Sequence, residues 1–340
     1  MISTVSVNPP DRVKSYTEVT ISAEGSPLHG FPLLSIDRDS YVVSSEIHGG
    51  INFRVEEGCH HIAIGKETAI ADGVVMMIDQ DHDFNAVAQG GPSFLDGSAI
   101  RRTRQRGSII IQNDVWVGSG VTIMPGVILH NGCIVAAKSV VTKDVPPYAV
   151  VGGNPARILR YRFEKKVVDA FQKIAWWDWN QETQRLRKDD FLLSAEEFTE
   201  KYLPEAEKNE LANIVEKASK KVVLFPADLG SVFPLYPKVL AAYFEKDRPN
   251  TELLIYLPEE RSHASSIYEL ERILKQYASC DSYVTLQTGI TLDERILFQG
   301  ADYYVTTRDR STVYRTCLAD RYGVKTLFGT DTFLFPAELQ

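Results

Sequence analysis

Cysteine is scarce in this 340-residue chain: four residues, at positions 59, 133, 280 and 317, with no CxxC pair among them. So sparse a set excludes a disulfide framework. Long apolar runs are missing too, since no stretch approaches the roughly 18 consecutive apolar residues of a membrane span. The chain opens Met1-Ile2-Ser3-Thr4 without a basic n-region, so neither leader nor span is expected and the location expected is cytoplasmic. Positive charge is in deficit, with 37 Lys+Arg against 45 Asp+Glu and a net charge of -8. That balance argues against nucleic acid or an anionic membrane as the main partner, while leaving room for a local basic patch that holds phosphate. A Gly-x-Gly-x-x-Gly loop, a Walker loop and a Gly-x-Ser-x-Gly elbow are all absent, which removes the usual phosphate-cradling loops and the usual serine nucleophile. What is left is ordinary. Hydrophobic content of 44% and charged content of 24% describe a soluble globular protein, long enough for two domains.

The informative feature is a period. From Ile111 an aliphatic residue returns every six positions, at Ile111, Val117, Ile123, Leu129, Val135 and Val141. Four residues after each comes a second small or aliphatic one: Val115, Val121, Val127, Cys133, Ser139 and Val145. Gly120, Gly126 and Gly132 stand just before three of these, and the same frame occurs earlier at Ile64, Ile70 and Met76. A helix repeats at 3.6 residues and a lone strand at 2, so neither sustains a period of six. A short strand followed by a tight turn does. Two inward side chains per hexad fill a narrow prism, and glycine supplies the positive φ at its corners. Three hexads make one 18-residue coil, so residues 18 apart stack on the same wall.

The hexads, together with Asp114-Val115-Trp116-Val117-Gly118, Ala136-Ala137-Lys138-Ser139-Val140-Val141, Pro146-Pro147-Tyr148, Gly152-Gly153-Asn154-Pro155-Ala156 and Trp176-Trp177-Asp178-Trp179, resemble the hexapeptide-repeat acetyltransferases, in their xenobiotic and sugar branch. The resemblance covers roughly residues 40–200. It implies a left-handed parallel β-helix, an exception to the right-handed crossover rule. It also implies acetyl-CoA as co-substrate, a homotrimer, and direct transfer with no acyl-enzyme. The expected organisation is an irregular or β lead-in over 1–50, the β-helix over 51–180 with a protruding loop at 78–108, a helical linker over 181–220, and an α/β domain over 221–340. Phe163, Val167, Phe171 and Ile174 predict an amphipathic helix. The resemblance implies that this helix and the tryptophans fold back over the β-helix end; because aromatics at helical spacing are usually core, no catalytic role is expected for Trp176, Trp177 or Trp179.

The hexad frame stops near Met77 and resumes near Ile109. The interval contains Asp79-Gln80-Asp81-His82-Asp83 and the basic run Arg101, Arg102, Arg104 and Arg106. Long excursions from a regular scaffold often carry function. Acetyl transfer to a hydroxyl or amine needs the nucleophile deprotonated as it attacks, and histidine suits that task at neutral pH. His82 is therefore the candidate general base, in the position where the resemblance implies one. Asp79, Asp81 or Asp83 could orient its other ring nitrogen. His60, His61, Asp79, Asp81, His82 and Asp83 lack a recognised metal spacing, so no metal is expected. His60 and His61 read as turn or edge residues and His130 as a corner residue facing out.

For coenzyme A, the resemblance implies a groove between β-helices of the trimer. Ser119 and Ala137, 18 apart, would line its wall, and Thr142 would continue the line toward the nucleotide. Arg157 and Arg160 match positions near the phosphates, and guanidinium forks suit phosphate. Trp116 would contact the cofactor or cover the wall, and Lys138 and Lys143 are weaker candidates.

From Lys221 the pattern changes. Val222–Phe225, Leu253–Leu257, Tyr283–Thr285, Asp302–Val305 and Val324–Phe328 read as buried strands separated by helices such as Ile267–Tyr277. Alternation of this kind implies a doubly wound, Rossmann-like α/β unit whose ligands bind beyond the carboxyl ends of its strands. The loops after Phe225, Leu257, Val305 and Phe328 are then the expected ligand edge. The expected role is to bind acceptor or mediate assembly, with a purely structural role also open. The function expected is acetyl-CoA-dependent O-acetylation of a sugar in a surface polysaccharide such as capsule or O-antigen. Alternatives are N-acetylation of a nucleotide-linked amino sugar, antibiotic acetylation, and a coenzyme A-blind scaffold.

Overall fold

The computed structural model describes residues 2–7, 12–21, 29–49, 61–78, 106–212, 215, 219–258, 264–277, 280–289, 293–331 and 334–339. Its first half is a three-walled parallel β-prism, with the expected 18-residue coil between Ile111 and Val141. On wall one, Ile36 pairs with Ile64, Ile64 with Ile111, and Ile111 with Leu129. On wall two the column runs Val42, Ile70, Val117, Val135, Val151. On wall three it runs Ile47, Met76, Ile123, Val141. Every one of these side chains is buried in a single core. Each contributes roughly 1.5–3 kcal/mol by leaving water, which explains why the inward hexad position tolerates only aliphatics.

The coils begin earlier than the hexad frame suggested. Pro32–Ile36 and Tyr41–His48 lie in the segment expected as a lead-in, yet they pair in parallel with Ile62–Ile64 and Ala69–Met77. The register shifts between Ser44 and Ser45, so Val42 and Ile47 stand five apart where the next coil has Ile70 and Met76. The next coil bulges by one residue at Gly73, and the first coil lacks its counterpart, so the period of six is broken there. Ile2–Val7 and Thr17–Thr20 add antiparallel edges to this end.

At the other end a helical cap closes the prism. Helix α1 (Lys165–Ile174) buries Val167, Ala170, Phe171 and Ile174, the face that the spacing predicted. Phe171 stacks on Tyr148 at 5.3 Å, and Trp177, Phe198 and Tyr202 complete the cluster. Gly132, at φ +68°, faces the Tyr148 ring so closely that a Cβ would lie 2.5 Å from it, so the close approach and the backbone both demand glycine. Helices α2 (Gln181–Leu186) and α3 (Ala195–Lys208) follow, the latter opened by a Ser194/Glu197 capping box.

Residues 221–339 form a five-stranded parallel sheet in the order Ser282–Gly289, Arg248–Pro258, Lys221–Pro226, Tyr303–Val305, Lys325–Leu327. Helices α4 (Tyr236–Phe244) and α5 (Ala264–Gln276) pack on the face carrying Val223, Phe225 and Ile255. Helices α6 (Glu294–Gly300) and α7 (Thr312–Tyr322) pack on the face carrying Leu224 and Tyr304. Among the described residues no helix is long and apolar enough to cross a membrane.

Candidate functional site

Wall three lies between two exposed corners. At the first, Ser119 and Ala137 are both exposed and one coil apart, joined by the Lys138 amide donating to the Ser119 carbonyl at 2.9 Å. The stack is tight there. A Cβ on Gly118 would sit 2.7 Å from the Ala137 nitrogen, so glycine is required by the distance between coils. Thr142 is exposed as well but does not stack on this pair. It follows Val141 at the far end of wall three, above Met124, whose amide donates to the Val141 carbonyl. The three candidates therefore bracket one wall, two at its leading corner and one at its trailing corner.

After the last wall-two strand, Ala149–Gly153, the chain doubles back as Ala156–Tyr161 in antiparallel pairing, setting Arg157 opposite Gly152 and Arg160 opposite Val150. Both arginines are exposed. Their guanidinium groups donate to the carbonyls of Ala156 and Tyr161, and neither meets a carboxylate among the described residues. Trp116, 56% exposed, projects from wall two between Ala69 and Ile134. With exposed Ile158, Leu159 and Tyr161 it adds apolar surface beside the two cations.

His82, Asp79, Asp81 and Asp83 lie outside the described residues, as does His60. The points where the excursion leaves and rejoins the prism are described. The Ile78 amide donates to the His48 carbonyl at 2.8 Å, and the Gly126 amide donates to the Gly107 carbonyl at 3.2 Å. Both anchors fall at the trailing corner of wall three, the corner that carries Thr142.

The hexad pattern gives no sign of the cover on wall one. The outward side chains Ala63, Ile110 and Ile128 pack against Val313, Cys317 and Phe328 of the α/β domain. His130 does face out of the prism, but helix α7 covers it. Its Nδ1 lies 2.6 Å from an Asp320 carboxylate oxygen, which also accepts from Gln112 Nε2 at 2.7 Å. Burial opposes charge on His130, yet the hydrogen bond and charge of Asp320, with Asp144 behind, outweigh it and raise the imidazole's pKa. His61 is no edge residue either. It is 1% exposed, its Nε2 has no hydrogen-bond partner among the described residues, and burial with the nearby Arg308 charge lowers its pKa to about 3. The imidazole is therefore neutral. One signal for this seam was legible: Ile109-Ile110-Ile111 and Ile128-Leu129 are apolar on both faces, whereas a solvated wall needs apolar residues on one. Among the described residues no group of three His, Cys, Asp or Glu is placed to hold a metal ion.

The bacterial transferase hexapeptide (six repeats) family model matches residues 108–143. A chloramphenicol acetyltransferase of Klebsiella aerogenes is 35% identical over 130 residues, 36% of this chain and 61% of that protein. A probable macrolide acetyltransferase of Lysinibacillus sphaericus is 36% identical over 130 residues, 36% of this chain and 71% of that protein. The galactoside O-acetyltransferase of Escherichia coli (strain K12) is 31% identical over 121 residues, 34% of this chain and 54% of that protein. The chain thus spans 61% of the Klebsiella relative and 54% of the galactoside enzyme, less than two thirds of each. Among solved structures, a galactoside acetyltransferase in complex with coenzyme A is 27% identical, covering 35% of this chain and 55% of that chain, at a TM-score of 0.25. So low a score carries no residue correspondence.

Proposed function

The chain belongs to the hexapeptide-repeat acetyltransferase family, and on that premise we propose that it transfers acetyl from acetyl-CoA directly to a hydroxyl of a saccharide. The observation that carries this reading is wall three, with Ser119 and Ala137 stacked and exposed at one corner and the roots of the long excursion at the other. In the proposed reaction, His82 takes the proton of the acceptor hydroxyl as its oxygen attacks the thioester carbonyl. The tetrahedral adduct then collapses, the C–S bond breaks, and the proton passes to the departing thiolate, leaving an acetyl ester and coenzyme A. Arg157 and Arg160, which meet no carboxylate among the described residues, suit the phosphates of the nucleotide end, while Ser119, Ala137 and Thr142 suit the pantetheine arm. Trp116 and its apolar neighbours support a trimer that closes the groove. With wall one covered by the chain's own second domain, walls two and three are the faces left for such assembly.

Sugar of a surface polysaccharide is the acceptor we favour, because an enzyme acting on small soluble drugs has no need of an appended α/β domain. The names of the chloramphenicol and macrolide relatives favour a second reading, antibiotic acetylation. Thiol release from acetyl-CoA across a panel of oligosaccharides, nucleotide-linked amino sugars, chloramphenicol and a macrolide separates these. His82→Ala abolishes turnover with the oligomer intact; near-normal turnover refutes the base. Arg157→Ala and Arg160→Ala each raise KM for acetyl-CoA about tenfold with kcat held, and unchanged KM refutes the phosphate assignment.

A further inference from the structure

The α/β sheet has a strand order of third, second, first, fourth, fifth, so its sense of winding reverses between Lys221–Pro226 and Tyr303–Val305. At such a reversal the loops leaving adjacent strands turn to opposite faces and open a crevice at the strands' carboxyl ends. Here the loop after Pro226 turns toward α4 and the loop after Val305 toward α7, on the opposite face. Between them lies an open cleft of about 660 Å³, lined by Gly230, Val232, Arg308 and Arg310 and bounded on its other side by Tyr16 and Glu18 of the first domain. Its size falls within the range of small-molecule sites.

The lining has a definite chemistry. Arg308 is 7% exposed and built in: its guanidinium donates to the Phe233 carbonyl at 2.6 Å and lies 5.2 Å from the Phe31 ring centroid. Arg310 is exposed and has no ion pair among the described residues. The amides of Gly230 and Val232 make no hydrogen bond among the described residues, and a Cβ on Gly230 would meet only open space. The adjacent carboxylate, Asp228, is turned away and accepts the Leu235 and Tyr236 amides at 2.7 and 3.1 Å. On the opposite side the Tyr16 hydroxyl donates to Glu18 at 2.9 Å, an acceptor and a hydroxyl of the kind that meet sugar hydroxyls. The location matters as well. Thr330, two residues beyond the sheet-edge Phe328, lies 3.5 Å from Ser108, and a Cβ on Gly107 would meet the Phe328 ring at 2.5 Å. The carboxyl edge of the second domain is therefore seated where the long excursion rejoins the prism.

We propose that this cleft binds a phosphorylated saccharide, with the phosphoryl group on Arg310 and the Gly230 and Val232 amides and the sugar hydroxyls on Glu18 and Tyr16. Its identification as the acceptor rests on the saccharide reading above; the binding itself does not. The test is calorimetric titration of the intact protein with glucose 1-phosphate, UDP-glucose, glucose and inorganic phosphate. Either or both of the first two bind, and Arg310→Ala weakens that binding about tenfold or more while coenzyme A affinity stays unchanged. UDP-glucose alone binding names a nucleotide-linked ligand, and both binding equally names the sugar phosphate as the recognised part. Three results overturn the proposal: wild-type affinity in Arg310→Ala, inorganic phosphate matching both sugar probes, or competition of the sugar probes with coenzyme A. Loss of acetyl transfer with binding retained refutes the saccharide O-acetylation and leaves the cleft standing.

Discussion

Glu67→Gln tests whether the corner between walls one and two holds a carboxylate whose ionisation is costly, chiefly because it is buried and secondly because Asp39 is near. Asp39, Glu67 and Asp114 occupy corresponding corner positions on this edge, all with positive φ, and the Glu67 and Asp114 amides donate to the Arg38 and Lys66 carbonyls. Burial, with the charge of Asp39 and a smaller push from Asp114, raises Glu67 from its ordinary 4.5 to about 7, against the partial relief of Arg12 and Arg38. A shift of that size is worth about 3 kcal/mol. The sign follows from proton counting. Between pH 4.5 and 7 the folded protein holds a proton on Glu67 that the unfolded chain has released, so this group's contribution to stability falls as pH rises across that window. Glutamine keeps the shape and stays neutral. The variant should match wild type near pH 4.5 and exceed it by up to about 3 kcal/mol at pH 8, less the small loss of the 3.4 Å contact with half-exposed Arg12. Urea denaturation of both proteins at pH 4.5, 6 and 8 measures the difference. A pH-independent difference, or a variant less stable at pH 8, refutes the argument.

His130→Asn removes the inter-domain pair with Asp320. Because the pair raises the His130 pKa, its stabilisation is complete below the unfolded value near 6.5 and fades as pH rises through the folded one. Hydrogen exchange of helix α7 should therefore separate wild type from variant in acid and converge in alkali, and a flat difference contradicts the assignment. Ile110→Asp places a carboxylate in the apolar seam with Ala63, Ile128 and Val313, at a cost of roughly 3 kcal/mol or more. The same exchange measurement should show α7 losing protection while the coil residues 115–141 keep theirs; unchanged protection of α7 means the seam is not a stabilising contact.

The two halves differ in how far local pattern reached. Ile111, Val117, Ile123, Leu129, Val135 and Val141 announced a coil because a repeated solenoid contacts only its neighbours, so its geometry is written locally in every turn. The stacking of Ser119 on Ala137 followed from the same arithmetic. Thr142 did not follow the expected line, because only residues eighteen apart share a column of the prism, and a residue five positions on falls at the next corner. The first coil was hidden because Val42 and Ile47 stand five apart, one residue short of the hexad, opposite the bulge at Gly73. The α/β strands were legible as apolar runs, but only the three central ones are buried: Tyr283 is 48% exposed on one edge and Lys325–Leu327 forms the other. Which strand neighbours which was not legible, since parallel pairing joins segments through long crossovers that leave no local trace.

By itself, then, the amino-acid sequence determined the period, the prism, the helical cap and the family, all of which depend on contacts between residues close in the chain or one coil apart. Only the tertiary structure decided that wall one is covered, that His61 is a buried neutral imidazole, and that His130 is tied to Asp320, a residue 190 positions away. It alone brought Arg308 and Arg310 to face Tyr16 and Glu18 across one cleft, beside the root of the excursion. Those facts come from docking two independently patterned units. An interface of that kind is set by the shape and charge of whole surfaces, which no window along the chain contains.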